Sequence, residues 1–192
     1  LVELGHTSIG IAAGQANLTS TIHRIEGIRT VVEAAGGHVH VAHALPDREG
    51  GRRAARQLLD QEPALTAIVG TADQLAIGAM HWLQDQGIAV ADDVSVAGFN
   101  DIPAALDVRP TLTTVRLPLR DMGAAALNLG LGGRTAANTS TEFKPELVVR
   151  GSTRHRDASA STTATTPTMS ATGTGETPVR AKSRISRQAG SK

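Results

Sequence analysis

The sequence predicts an α/β fold, a parallel sheet flanked by helices, and three observations carry that expectation. Short apolar runs of strand type alternate with longer segments whose apolar residues recur every three or four positions. Glycines close several of the helical segments, as the left-handed helix end favours. No Asn-Gly or Asp-Gly pair offers a tight hairpin, so consecutive strands connect through helices, and such crossovers imply parallel pairing.

Taken in order, residues 8–13 (SIGIAA) form a first strand closed by Gly14. From Thr19 a helix follows with Ile22, Ile25, Ile28, Val32 and Ala35 at helical spacing, and Gly36-Gly37 stops it. Residues 38–42 are a second strand. Pro46-Asp47 opens a helix in which Ala54, Ala55, Leu58 and Leu59 form a stripe among arginines, ending near Pro63. Residues 66–70 are a third strand. Asp73 is placed to cap the next helix, which puts Leu75, Ala76, Ala79, Met80 and Leu83 on one face and ends at Gly87. Residues 94–98 are a fourth strand that delivers Phe99, Asn100 and Asp101 into a loop. In open parallel sheets small ligands bind beyond the carboxyl ends of the strands, so that loop is where function is to be sought. Pro110 breaks the chain and residues 113–116 are extended. Pro118 opens a helix with Leu119, Met122, Ala126 and Leu129 in line. Residues 130–140 read as loop, and 142–150 as a last strand in which Phe143, Leu147 and Val149 share a face.

Composition narrows the function. The 192 residues carry a formal charge of only +1, so the total shows no electrostatic demand for nucleic acid or a membrane. The absence of cysteine removes disulfides and thiolate chemistry and is compatible with a reducing cytoplasm. No apolar run approaches the ~20 residues that span a bilayer. There is no nucleophile elbow, no P-loop, no G-x-G-x-x-G after a strand and no evident acid–base pair, so neither catalytic residues nor a cofactor are expected. His38 and His40 share a strand face with His43 just beyond. No third ligand is evident, so a half-exposed edge strand is the reading and no metal site is expected. Asp92-Asp93 read as a turn. Arg24, in the first turns of its helix, presents a planar fork of donors, and Asn100 both donates and accepts. A surface pairing of Arg24 with Glu26 or Glu33, and a turn role for Asn100, account for them equally well on spacing alone.

From about Gly151 the chain turns Ser/Thr/Ala-rich with few large apolar residues, and residues 178–192 hold Arg180, Lys182, Arg184, Arg187 and Lys192 without an acid. Residues 151–192 are therefore expected to be a disordered basic tail. At the other end, LVELGH reads as the last turn of a helix already under way, and the chain is expected to be an amino-terminally incomplete piece.

Four stretches then carry a family resemblance: LVELGHTSIGIAAG, RIEGIRTVVEAAG, TADQLAIGAMHWLQDQGIAVADDVSVAGFND and PTLTTVRLPLRDMGAAALNLGL. Spread through residues 1–150, in their order and spacing they resemble the effector-binding region of the LacI/GalR family of transcriptional repressors. The resemblance implies a periplasmic-binding-protein-like (type I) lobe, residues 1–150, with the second lobe largely missing. Within it, 117–135 belongs to that incomplete lobe, and the apolar face of its helix is expected to lack cover. It further implies a sugar- or nucleoside-like effector, a homodimer, a cytoplasmic location, no membrane, and operator DNA read only through a helix-turn-helix headpiece outside this chain. Arg24 falls on the family's effector-contacting arginine, Asn100 on the usual first aspartate of a GFDD motif, and Ala72 where an asparagine is common; Asp73 beside it joins this effector-binding set. Asn for Asp keeps acceptor capacity but removes a charge, and Ala for Asn removes a contact, so a different effector or weaker binding is expected. Ile77, His81 and Val108 fall on the family's dimer surface. The rivals are a periplasmic-type sugar-binding protein of a transporter, an enzyme on the same scaffold, and a fragment with no function of its own; the VSVAGFND and LTTVR stretches favour the repressor.

Overall fold

The computed structural model describes residues 1–131 and 140–156. In chain order the elements are β1 (Ser8–Ala13), α1 (Thr19–Ala34), β2 (His38–His43), α2 (Arg48–Gln61), β3 (Ala67–Gly70), α3 (Asp73–Asp85), β4 (Ser95–Asn100), a 3₁₀ turn at Pro103–Ala105, β5 (Thr113–Arg116), α4 (Leu119–Leu131) and β6 (Glu146–Val148). They form one six-stranded sheet in the order β2-β1-β3-β4-β5-β6. The first five strands are parallel, as the helical connections require. The last departs from the all-parallel expectation: β6 is a three-residue edge strand running antiparallel to β5, with Glu146 opposite Arg116.

The two faces of the sheet are covered unequally. On one, α2 and α3 enclose Leu58, Ile68, Leu75, Ile77, Met80, Leu83, Val96 and Leu112, all fully buried. The two helices touch backbone to backbone, since a Cβ on Gly78 would lie 2.0 Å from the Arg48 carbonyl oxygen and one on Gly51 would lie 2.2 Å from that of Leu75. Asp47 caps α2 by accepting a hydrogen bond from the Gly50 amide at 2.6 Å. On the other face, a smaller cluster of Ile9, Val32 and Ala67 lies under α1. Most of the apolar spacing read for α1 is not buried: only Thr21 and Val32 are, and Ile22 and Val31 stand open to solvent.

Helix α4 has no buried residue, and Leu119, Leu127 and Leu131 are all exposed. Of the apolar face read from the sequence, Leu119 and Ala126 are exposed, while Met122 and Leu129 are half-buried. In β6 and just after it Leu147 and Val149 are exposed as well. The expected loop at 130–140 begins later than read, because α4 continues to Leu131; residues 132–139 and the tail from 157 onward lie outside the described residues.

The tail boundary at Gly151 needs correction. Ser152 is fully buried: its hydroxyl donates to the Val96 carbonyl at 2.6 Å and accepts from the Thr113 amide at 2.8 Å. The Arg154 amide donates to Ser95 Oγ at 3.1 Å, and the Arg156 amide donates to the Leu4 carbonyl at 2.8 Å. These residues are held by polar pairing rather than apolar burial, which is why composition assigned them to the tail. No helix of the described residues is long and apolar enough to cross a membrane.

Candidate functional site

The carboxyl edge of the sheet is built from the last residues of four parallel strands and the turns that leave them. A chain of hydrogen bonds ties them together. His43, ending β2, is bonded through Nδ1 to the Gly14 carbonyl at 2.8 Å; a carbonyl only accepts, so that nitrogen carries the proton. The Gly14 amide, after β1, donates to Thr71 Oγ1 at 2.9 Å. The Thr71 carbonyl, after β3, accepts from Arg24 at 2.6 Å. The Arg24 guanidinium carbon lies 3.9 Å from the centroid of the Phe99 ring near the end of β4. A cation so placed is held by the ring quadrupole with about 1 kcal/mol.

Arg24 is thereby fixed by two strand ends while most of its five donors remain uncommitted to Thr71. Burial pushes its guanidinium below the ordinary arginine value, because the charged form is partly stripped of water. Ala72 follows Thr71 directly and occupies the capping position of α3 in an extended conformation, φ −150° and ψ 151°. Asn100 follows Phe99 directly, is half-buried, and has φ +115°. Arg24 is thus in contact with Thr71 and Phe99, while Ala72 and Asn100 are placed at this edge only as the chain neighbours of those two residues. A cavity of about 390 Å³ beside them is lined by Arg24, Thr71 and Phe99 with Ile28, Val69 and Val115; Ala72 and Asn100 do not line it.

Asp73 belongs elsewhere. It was expected both to cap α3 and to join the effector-binding set, yet it is fully buried and caps nothing. One carboxylate oxygen accepts from Thr114 Oγ1 at 2.5 Å and the other from the Ile102 amide at 2.8 Å. A buried carboxylate needs such partners, and these leave it no path to a ligand. Gly98 makes the room, since a Cβ there would stand 2.3 Å from Asp73 Oδ1.

Asp101, in the loop to which the sequence points, is not among the residues the sequence assigns to the site. Its carboxylate, 8% exposed, sits between Arg150 Nη2 at 2.6 Å and Arg116 Nε at 2.7 Å. Burial alone raises its pKa, but the hydrogen bonds and charges of the two arginines outweigh that and hold it below the ordinary carboxylate value. Thr71 and Phe99 were also missed as site residues. Thr71 adjoins Ala72 and Phe99 adjoins Asn100, and only those adjacencies signalled them.

The expected dimer positions separate. Ile77 is fully buried in the α2–α3 core and Val108 is 9% exposed, so neither offers much surface; helical spacing could not tell a core residue from an interface residue at Ile77. His81 is half-buried, and burial, with Arg48 and Arg52 nearby, pushes its pKa down. His38 lies exposed on the edge strand and His40 is 4.0 Å from Glu62; among the described residues no group of three or more His, Cys, Asp or Glu gathers to hold a metal. Asp93 Oδ2 accepts from the Ala89 amide at 2.7 Å, the turn role read for that pair.

Comparison with known proteins agrees with this architecture. A family model for the periplasmic binding protein-like domain matches residues 1–153. The HTH-type transcriptional regulator reg1 of Streptomyces lividans is 42% identical over 164 residues, covering 80% of this chain and 47% of that protein. The HTH-type transcriptional regulator GalR of Escherichia coli is 34% identical over 158 residues, covering 79% of this chain and 46% of that protein. Among solved structures, a complex of the transcriptional regulator CelR with cellobiose superposes with a TM-score of 0.73 at 29% identity, over 79% of this chain and 48% of that one. The chain thus spans about half the length of the curated relatives it matches. Fold and relatives together define the class, a periplasmic-binding-protein-like α/β lobe. The chain belongs to the periplasmic binding protein-like domain family, as an effector-binding region of the LacI/GalR type.

Proposed function

We propose that this chain is the sensing part of a LacI/GalR-type transcriptional regulator and that its carboxyl sheet edge binds a sugar. Arg24 is the principal contact, donating to ligand hydroxyls, with Asn100 donating and accepting beside it and Ala72 forming an apolar wall. The observation that carries the reading is the placement of Arg24: bonded to Thr71 at 2.6 Å and stacked on Phe99, it presents its remaining donors at the edge where parallel sheets take their ligands. A sugar is favoured over other effectors by the cellobiose complex of the CelR structure. Effector binding biases the regulator between states that bind operator DNA differently, and the DNA is read by a part of the regulator outside the matched region. The regulator works as a homodimer, with His81 on the surface through which two copies meet; a dimeric lac repressor is among the similar structures.

A thermal-shift screen of the chain with mono- and disaccharides and with nucleosides tests the reading. A ligand at about a hundred times its Kd adds about 2.7 kcal/mol to stability, so a specific sugar raises the melting temperature clearly. Stabilisation by nucleosides alone replaces the sugar with another effector class, and stabilisation by nothing overturns the reading.

A further inference from the structure

The Asn100–Asp101 turn is unusual in its backbone. Asn100 has φ +115° and Asp101 φ +57°, two successive residues with side chains in the left-handed half of conformational space. Such a conformation is costly for a residue with a side chain, and the surroundings must over-determine it for it to persist. The structure supplies three restraints. Before the turn, Asn100 is in register with Arg116 of β5. After it, the Ile102 amide is held by the buried Asp73 carboxylate, itself fixed by Thr114 of β5. At its centre, Asp101 is gripped by Arg116 from the end of β5 and by Arg150 beyond β6. Arg150 is anchored in turn, donating to the Leu112 carbonyl at 2.8 Å, and Arg116 reaches Glu146 at 3.1 Å.

From this geometry we infer that Asp101 and Arg150 are positioning residues for Asn100. Their ion pair holds the turn in its strained conformation and so fixes the backbone from which the Asn100 side chain departs. The assignment rests on the sugar-site reading for what Asn100 does, but not for how its backbone is held. It also gives effector binding a route outward. Any ligand that needs Asn100 in this conformation favours the Asp101 pairing, and with it one arrangement of the β5–β6 strand pair; the coupling is reciprocal.

The test is amide hydrogen exchange on the full chain, unliganded, for wild type, Asp101→Asn, Arg150→Lys and Arg116→Gln, together with sugar titrations. Removing one partner of a half-buried pair leaves the other uncompensated, so Asp101→Asn is expected to speed exchange at residues 100–102 by about tenfold or more while the α2–α3 core stays as protected as in wild type. Arg150→Lys keeps the charge but loses the fork and gives a smaller acceleration, and Arg116→Gln, altering an exposed side chain, tests the clamp should Asp101→Asn fail to fold. Any sugar that stabilises wild type is expected to bind Asp101→Asn about tenfold more weakly. Unchanged exchange at 100–102, acceleration spread across the whole sheet, or a loosened turn that binds the same sugar equally well each overturns the assignment. If no sugar binds wild type, the sugar reading falls and the clamp is decided by the exchange pattern alone.

Discussion

Helices α3 and α4 are of equal length, 13 residues each, and the sequence gives both an apolar face at helical spacing, yet their fates in the structure are opposite. Eight residues of α3 are buried and none of α4 is. The difference lies outside either helix. Helix α3 has a partner shaped for it: Gly51 and Gly78 let α2 approach to backbone contact, and Ile68 and Val96 of the sheet close the core. Helix α4 meets no such surface among the described residues. Periodicity thus specifies that a helix forms and which side is apolar, while burial needs a complementary surface elsewhere in the chain or assembly.

Truncation sharpens the contrast most. Leu83→Ala in α3 is expected to cost about 3 kcal/mol in denaturant unfolding, the transfer and cavity terms together. Leu127→Ala in α4 is expected to change stability by no more than about 0.5 kcal/mol, as at an open surface. Glycine replacement should reverse in sign between the two helices. Gly78→Ala drives a methyl to within 2.0 Å of the Arg48 carbonyl oxygen and is expected to cost about 2 kcal/mol despite better helix propensity. Gly123→Ala meets nothing within 4 Å and is expected to stabilise by about 1 kcal/mol or less. Equal effects in the two helices would break the comparison.

Stability also depends on pH. His6 is buried, its Nδ1 bonded to Thr66 Oγ1 and its Nε2 to the Arg154 carbonyl, both at 3.0 Å. Burial lowers its pKa from the ordinary 6.5, and Arg156 and His155 push the same way, against the Arg154 hydrogen bond. Between the lowered folded value and 6.5 the unfolded chain binds a proton that the folded chain refuses. Stability is therefore full above 6.5 and falls as pH drops through it, by at most about 1.4 kcal/mol per pH unit for one group. His6→Gln is expected to flatten that slope without abolishing it, since His81 is lowered too.

Much of the fold was legible because period and punctuation agree along β1 to β5 and α1 to α3. β4 runs past the expected end at Gly98 through Phe99 to Asn100, because pairing with β5 continues there although Asn100 resembles a turn residue. Two kinds of feature were not legible. Ser152 and Arg154 are held by polar pairs with partners more than fifty residues away, which composition cannot register. Asp73 resembles an N-cap locally, and its burial depends on Gly98 and Thr114 from other strands. At the site, Arg24 and Asn100 were indicated by position in the chain. The Asp101–Arg150 pair, forty-nine residues apart, was visible only once the strands were in register.

Arg24 is expected to bind a sugar at the carboxyl edge. Calorimetric titration of wild type and Arg24→Ala with the sugar that most raises the melting temperature tests it most directly. Loss of one charged donor to ligand hydroxyls costs about 2 kcal/mol or more, so binding should weaken at least about thirtyfold while the unliganded variant stays folded. Equal affinity in the two proteins would contradict the claim.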